Sequence, residues 1–193
     1  RRPGPGRAAG RRPRFAVGAQ PGLKGRCAVT GTGGVHGRGV SNEATHEAVG
    51  AGETEGVRNA SWTFAHKPSI SCYVTALIAG PYDVVRDEVR TRKGAVPLAI
   101  LCRRSLTPYL DADNIFDCTK RGFAFYEKEF DYAFPFTKYD QIFTPEYNMG
   151  AMENAGAVTF NEKYIFRAQV TGAISEGRPL TTLHALAHIG IGY

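Results

Sequence analysis

A stripe of mostly aromatic residues in the middle of the chain repeats at the spacing of one helix face. Successive members are three or four positions apart, which places them on one side of an α-helix. These positions are Phe116, Thr119, Phe123, Tyr126 and Phe130. Thr107 and Pro108 give a helix-start signal, and Pro135 ends the pattern. The stripe predicts a helix that contributes to a hydrophobic core and not to a cofactor site.

The segments on either side of this helix have the composition of β-strands. SCYVTALIAG and PYDVVRDEV are separated by Gly80 and Pro81, and the apolar run AVPLAILC follows at residues 95–102. AGAVTFNEKYIF, at residues 155–166, is again rich in β-branched and aromatic residues. Strands followed by a mixture of helices and strands predict an α+β fold.

The same patterns predict a division into three parts. Residues 1–39 form a leader, residues 40–103 the end of an antiparallel β domain, and residues 104–193 the first part of a mixed α/β domain, with the boundary near residues 102–106. The leader contains 11 of the 23 glycines and has no hydrophobic period. We therefore expect it to lack regular structure. Its mixture of Arg, Gly, Pro and Ala is also typical of a GC-rich gene read in the wrong frame.

The positive net charge comes from the leader alone. The whole chain is at +6, but residues 1–40 hold 9 of the 24 Lys and Arg and no Asp or Glu. The remainder has 24 − 9 = 15 basic residues against 18 acidic ones, a charge of −3. A nucleic-acid interface would therefore be confined to the Arg/Gly arm, and we expect no nucleic-acid partner.

Cysteine spacing and hydropathy bear on the compartment. Cys27, Cys72, Cys102 and Cys118 form no C-x-x-C pair, and their irregular spacing does not suggest a disulfide framework. The apolar run at residues 95–102 is far shorter than the roughly 20 residues of a membrane-spanning helix. These features favour a cytoplasmic protein without a membrane partner.

Two motifs near the end of the chain carry the chemical information. NMGAMENAGAVTF, at residues 148–160, contains G-A-M-E-N, and TTLHALAHIGIGY ends the chain with His184 and His188 four residues apart. Together with WTFAHKPSISCYVTALIAGPY and FPFTKYDQIFTPEYN, they resemble the zinc aminopeptidase N family, a gluzincin family, and especially its actinobacterial members. The resemblance covers roughly residues 41–193 and is absent from residues 1–39.

The resemblance implies a substrate site in G-A-M-E-N. In the family, the glutamate pairs with the free α-ammonium of a peptide and so fixes where cleavage happens, a role that falls to Glu153 here. Gly150 and Ala151 are small enough to let a substrate backbone come close. Met152 and Asn154 complete the motif. Met149 matches a position that lines the pocket for the first side chain.

The resemblance also implies a zinc site at the second motif. His184 and His188 match the first two zinc ligands of the family, one turn apart on the same helix face. The third ligand in relatives is a glutamate on the next helix, which would lie past residue 193, and a tyrosine that acts in the transition state lies further on. The implied domain is the start of a thermolysin-like catalytic domain, so that the site here is incomplete.

Ala185 is the main departure from the family. In H-E-x-x-H the corresponding glutamate is the general base, and losing such a group typically costs about 10² to 10⁴ in rate. Gly190, Ile191 and Tyr193 also depart, each by a change that one base substitution can produce. We expect a fragment of a zinc aminopeptidase, a hydrolase of N-terminal peptide bonds, that is inactive by itself. The alternatives are a non-catalytic remnant that binds peptide N-termini and, less favoured, a nucleic-acid binder that uses the basic arm.

Overall fold

The computed structural model describes residues 74, 76–80 and 82–192, together with five strands that precede them. The five strands are β1 (Arg14–Gly18), β2 (Ala28–Thr32), β3 (Arg38–Ser41), β4 (Glu47–Thr54) and β5 (Val57–Thr63). The chain divides into two compact units. One unit comprises Arg1–His36 and Thr45–Ala65, and the other comprises Gly37–Ala44 and His66–Tyr193.

The first unit contains a four-stranded antiparallel sheet in the order β1-β2-β5-β4. Strands β1 and β2 lie in the leader, where the sequence analysis expects no regular structure. That expectation is wrong for these two strands, because Val17 pairs with Val29 in a ladder that continues from β2 into β5. β-branched residues such as these favour extended backbone. The rest of the leader lies outside the described residues, apart from the start of β3.

The second unit contains a two-stranded sheet and a five-stranded sheet. In the small sheet, β3 pairs with β6 (Leu77–Gly80). The large sheet has the order β10-β11-β9-β8-β7. Its strands are β7 (Tyr82–Thr91), β8 (Gly94–Arg103), β9 (Tyr139–Thr144), β10 (Ala151–Met152) and β11 (Ala157–Asn161).

The centre of the large sheet is parallel and buried. Strand β9 pairs in parallel with β8 on one side and with β11 on the other. Strands buried on both faces carry continuous apolar runs, which is why residues 95–102 are so hydrophobic. The connection from β8 to β9 contains helix α1 (Ala112–Glu129). Strands β8 and β9 with α1 therefore form a β-α-β unit.

The predicted boundary near residues 102–106 is not a boundary in the structure. Leu98 pairs with Tyr139, and Leu101 pairs with Ile142, so strands from both sides of that position form one sheet. The structure instead places residues 82–192 in one compact unit. The error arises because the pairing of β8 with β9 joins residues about 40 positions apart, and it leaves no local signal in the sequence.

Helix α1 follows the predicted stripe but is shorter than expected. Phe116, Thr119 and Phe123 are buried on one face of it as predicted. Phe130 is not part of the core, because it follows the last residue of the helix and is 51% exposed. Thr107 and Pro108 belong to a separate short 3₁₀ helix, and α1 ends at Glu129 instead of running to Pro135. Asp131 adopts φ = 49°, a left-handed conformation that ends the helix.

Helix α2 (Gly172–Ile191) packs against α1 and carries both histidines. The two helices approach closely at Gly122, where a Cβ atom would lie 2.6 Å from Leu183 and 2.9 Å from Leu186. The mixed architecture confirms the predicted α+β fold. In the described part of the chain, no helix combines the length and hydropathy that a membrane crossing requires.

Candidate functional site

The G-A-M-E-N motif lies at the edge of the large sheet. Ala151 and Met152 form β10, which pairs antiparallel with β11 through Phe160 and Thr159. Just before β10, the carbonyl of Gly150 accepts a hydrogen bond of 2.9 Å from the backbone N–H of Asn161. These bonds tie the motif to β11, a strand that is itself buried.

A tight turn follows β10 and fixes the backbone around Glu153. The N–H of Asn154 donates to the carbonyl of Met152, and the N–H of Ala157 donates to the carbonyl of Asn154. Gly156 has φ = 67°, a conformation that glycine adopts without strain. Glu153 is therefore held between two residues whose backbone groups are hydrogen bonded.

The side chain of Asn154 adds a second constraint from inside the protein. Asn154 is buried, and its Nδ2 donates to Thr159 Oγ1 over 3.1 Å. Thr159 Oγ1 in turn lies 3.0 Å from the hydroxyl of Tyr147 and donates to it. The asparagine of the motif thus anchors the turn that carries Glu153 to β11.

The carboxylate of Glu153 faces the histidine helix. Its Oε1 lies 3.6 Å from Nδ1 of His188, although the two residues are 35 positions apart. The Glu153 side chain is 27% exposed and that of His188 is 50% exposed, so solutes can reach both groups. The structure therefore brings together one residue from each of the two motifs that the sequence singles out.

His184 and His188 lie next to each other on the surface of α2. Both are exposed, and their ring centroids are 4.6 Å apart at an interplanar angle of 52°. Two imidazoles one helical turn apart fit two positions of a tetrahedral zinc site. Within the described residues, however, no group of three or more His, Cys, Asp or Glu side chains is arranged to hold a metal ion.

Ala185 lies on the inner side of the same helix. It is 1% exposed and belongs to the main hydrophobic core, together with Leu186 and Ile189. Its methyl group can neither accept nor deliver a proton. The position adjacent to the first histidine is thus occupied by a core side chain.

Met149 and the residues near the end of α2 complete the set predicted from the sequence. Met149 is 57% exposed, which leaves its thioether side chain available to a ligand. Gly190 and Ile191 fall in the last turn of α2, and Tyr193 lies outside the described residues.

Two tyrosines that were not selected from the sequence lie close to the motif. Tyr147 receives the hydrogen bond from Thr159, and the hydroxyl of Tyr164 lies 3.1 Å from the position of a Cβ atom on Gly150. Both lie in segments that read as ordinary strand and loop sequence. Their closeness in sequence to G-A-M-E-N is the one signal that could have selected them.

Comparison with known proteins gives a family match whose residues include both motifs. Residues 115–192 match the family model described as Peptidase family M1 domain. This segment belongs to peptidase family M1. The matched residues include most of α1, strand β10 of G-A-M-E-N and the histidine helix.

Relatives of this M1 segment are aminopeptidases. Aminopeptidase N of Streptomyces lividans is 54% identical over 131 residues, which is 68% of this chain and 15% of the relative. Aminopeptidase N of Homo sapiens is 30% identical over 131 residues, 67% of this chain and 13% of the relative. The chain thus spans less than a sixth of the length of these relatives.

A solved structure supports the fold of the M1 segment. The crystal structure of Legionella pneumophila aminopeptidase A in complex with aspartic acid matches 78% of this chain and 17% of that chain, with a TM-score of 0.62. The sequence identity is 22%, so the likeness bears on the fold alone.

Proposed function

We propose that this chain is a segment of a zinc-dependent aminopeptidase that binds peptide N-termini but does not hydrolyse them by itself. In this proposal the carboxylate of Glu153 receives the free α-ammonium group of a peptide. His184 and His188 supply two zinc ligands. Ala185 leaves the site without its general base.

The observation that carries the proposal is the 3.6 Å separation of Glu153 Oε1 and His188 Nδ1. An aminopeptidase must hold the ammonium group and the first peptide bond at the same time, and these are about one residue apart. A carboxylate next to a histidine pair meets both needs within that span. The carboxylate is an anionic partner for the amine, and the imidazoles are ligands for a metal. Zinc, when bound, would polarise a carbonyl and activate water.

The position of β10 supports binding of an extended peptide. This two-residue strand lies at one edge of the large sheet, so one of its sides has no neighbouring strand among the described ones. Such an edge can form backbone hydrogen bonds with a peptide that adds as a further strand. The small Ala151 on β10 and Gly150 just before it leave room for that backbone, and the exposed Met149 is available to the first side chain of the peptide.

Two features of the described residues support the proposed inactivity. Ala185 cannot take a proton from water, which typically costs about 10² to 10⁴ in rate. No third metal ligand joins the two histidines within the described segment. A zinc-dependent release of amino acids from an aminoacyl anilide, at a rate near that of an intact relative, would contradict this part of the proposal.

Calorimetric titration with a tetrapeptide tests the binding role. The peptide with a free N-terminus should bind the chain, and acetylation of its N-terminus should weaken binding about tenfold or more, since an ion-paired hydrogen bond contributes about 1.5–3 kcal/mol. Glu153→Gln should cause a similar loss. Glu146→Gln is the matched control, because Glu146 is an exposed acid on the preceding loop.

Two results of this titration would refute the binding role. One is equal affinity for the acetylated and the free peptide, which would mean that the ammonium group is not recognised. The other is an equal loss in Glu146→Gln and Glu153→Gln, which would mean that the general negative charge of the loop attracts the peptide.

A further inference from the structure

We infer that Tyr164 is a positioning residue that fixes the spacing between Glu153 and the histidine pair, an inference that rests on the proposed function. The phenol of Tyr164 lies between the two parts of the site. Its hydroxyl is 3.0 Å from Oγ1 of Thr181 on α2, and it would be 3.1 Å from a Cβ atom on Gly150 at the start of G-A-M-E-N. It therefore contacts α2 directly and lies close to the first residue of the motif.

Thr181 connects this phenol to the histidines. It precedes His184 by three positions and His188 by seven, so that all three residues lie along one face of α2. A rotation or shift of α2 that moves the imidazoles therefore also moves Thr181. A hydrogen bond between Thr181 and Tyr164 restrains that motion relative to the strand that leads to Glu153.

The segment that carries Tyr164 is itself bound to the motif. Tyr164 ends the short 3₁₀ helix Glu162–Tyr164, which begins with Asn161 Oδ1 accepting from the N–H of Lys163 over 2.8 Å. The N–H of Asn161 also donates to the carbonyl of Gly150. The segment of Tyr164 is thus hydrogen bonded to the motif, and the contact of Tyr164 with Thr181 reaches the histidine helix.

A tyrosine that only fills the core would behave differently from a positioning residue. The ring of Tyr164 packs against the main core cluster. If that were its only role, loss of the hydroxyl would change stability without changing how two ligands influence each other. A positioning role predicts that the hydroxyl matters for the coupling of two ligands, Zn²⁺ on the histidines and a peptide amine on Glu153. That coupling is the ratio of the peptide Kd without zinc to the peptide Kd with saturating zinc.

Titrations of the complete chain with Zn²⁺ and with a free-amine tetrapeptide measure this ratio. In the wild type, zinc should tighten peptide binding, because the carbonyl oxygen next to the amine is a further donor for the cation. Tyr164→Phe should reduce the ratio about fivefold or more, the lower end of typical coupling between sites. It should leave the affinities for zinc alone and for peptide alone within twofold of the wild type.

Three further variants separate positioning from folding effects. Thr181→Val should reproduce the loss of coupling, and Thr181→Ser, which keeps the hydroxyl, should restore it. Tyr126→Phe is the matched control. The Tyr126 hydroxyl also donates a hydrogen bond to α2, at the carbonyl of Leu183, but Tyr126 lies on α1 and not beside the motif. We expect this control to retain the coupling of the wild type.

The outcomes distinguish this inference from the proposed function. If the wild type binds the peptide through Glu153 but Tyr164→Phe and Thr181→Val keep the full coupling, Tyr164 is a core residue and the inference is wrong. If zinc has no effect on peptide binding in the wild type, the inference is also wrong. If the wild type binds no peptide, the proposed function fails, which is seen before any variant is compared.

Discussion

Replacing Gly122 with alanine tests whether α1 and α2 pack as closely as the structure has them. Gly122 is buried in the interior of α1, and a new Cβ atom would lie 2.6 Å from Leu183 Cδ2 and 2.9 Å from Leu186 Cδ2. Real Cβ atoms do not approach other carbons so closely, so at least one leucine must move. Leu183 is half-buried and can rotate, but Leu186 is only 2% exposed and has little room.

Two opposing effects determine the size of the change. Alanine favours a helix interior over glycine by about 1 kcal/mol. Overpacking a well-filled contact costs about 1–3 kcal/mol. Because Leu186 cannot leave the core, we expect the overpacking to exceed the gain in helix propensity, and the free energy of unfolding to fall by about 1 kcal/mol.

Gly177→Ala is the matched control for this substitution. Gly177 lies inside α2, and nothing lies within 4 Å of the position of a Cβ atom there. Only helix propensity changes at this site, so the free energy of unfolding should rise by about 1 kcal/mol. The two substitutions should therefore change the free energy of unfolding in opposite directions, and the two variants should differ by about 2 kcal/mol.

Urea unfolding followed by circular dichroism at 222 nm measures both values, because the signal reports the helices. Equal stabilisation by Gly122→Ala and Gly177→Ala would refute the close helix contact. It would mean that the helices are far enough apart for a methyl group, and that the position of His184 relative to α1 differs from the one in the structure.

Two more substitutions give predictions at buried positions. Tyr139 is fully buried and its hydroxyl has no hydrogen-bond partner among the described residues, so Tyr139→Phe should raise the free energy of unfolding at neutral pH by about 1 kcal/mol in urea titrations. Burial also raises the pKa of the Tyr139 phenol, so the folded state prefers the neutral form. The wild type should therefore lose stability as the pH rises above about 10, the ordinary pKa of tyrosine. Tyr139→Phe should lose less stability over the same pH range. Ala185→Glu should lower the free energy of unfolding by about 1–3 kcal/mol, because it places a carboxyl group at a position that is 1% exposed. An unchanged unfolding midpoint for Ala185→Glu would show that this side of α2 is open to water.

The central strand and helix could be predicted because their signals are local. The apolar run at residues 95–102 and the stripe around Phe123 each describe one element, and the structure has an element at both places. The boundary near residue 103 was wrong because it depends on which strands pair. The pairing of β8 with β9 is a contact between distant parts of the chain that no local periodicity contains.

The candidate site was only partly predictable for a similar reason. The motifs identified Glu153 and His188 separately, but neither sequence spacing nor composition says that a strand edge and a helix 35 residues later place them 3.6 Å apart. The contact of Tyr164 with Thr181 was not predicted, because nothing in the sequence indicates that these two residues, 17 positions apart, come together. Its connecting position becomes visible only when β10 and α2 are seen on either side of it.

The burial of Ala185 explains how the scaffold of the site can exist without the base. A glutamate at this position would bring a carboxyl group into the core cluster, where burial raises the pKa and disfavours the charged form. An acid placed there weakens folding, and that cost is tolerated where the acid has a catalytic use. Alanine removes the cost and leaves the core packing of Leu186 and Ile189 intact. The two histidines are exposed and Glu153 is held by its own turn, so neither depends on the side chain at position 185. The proposed binding geometry therefore does not require a glutamate there.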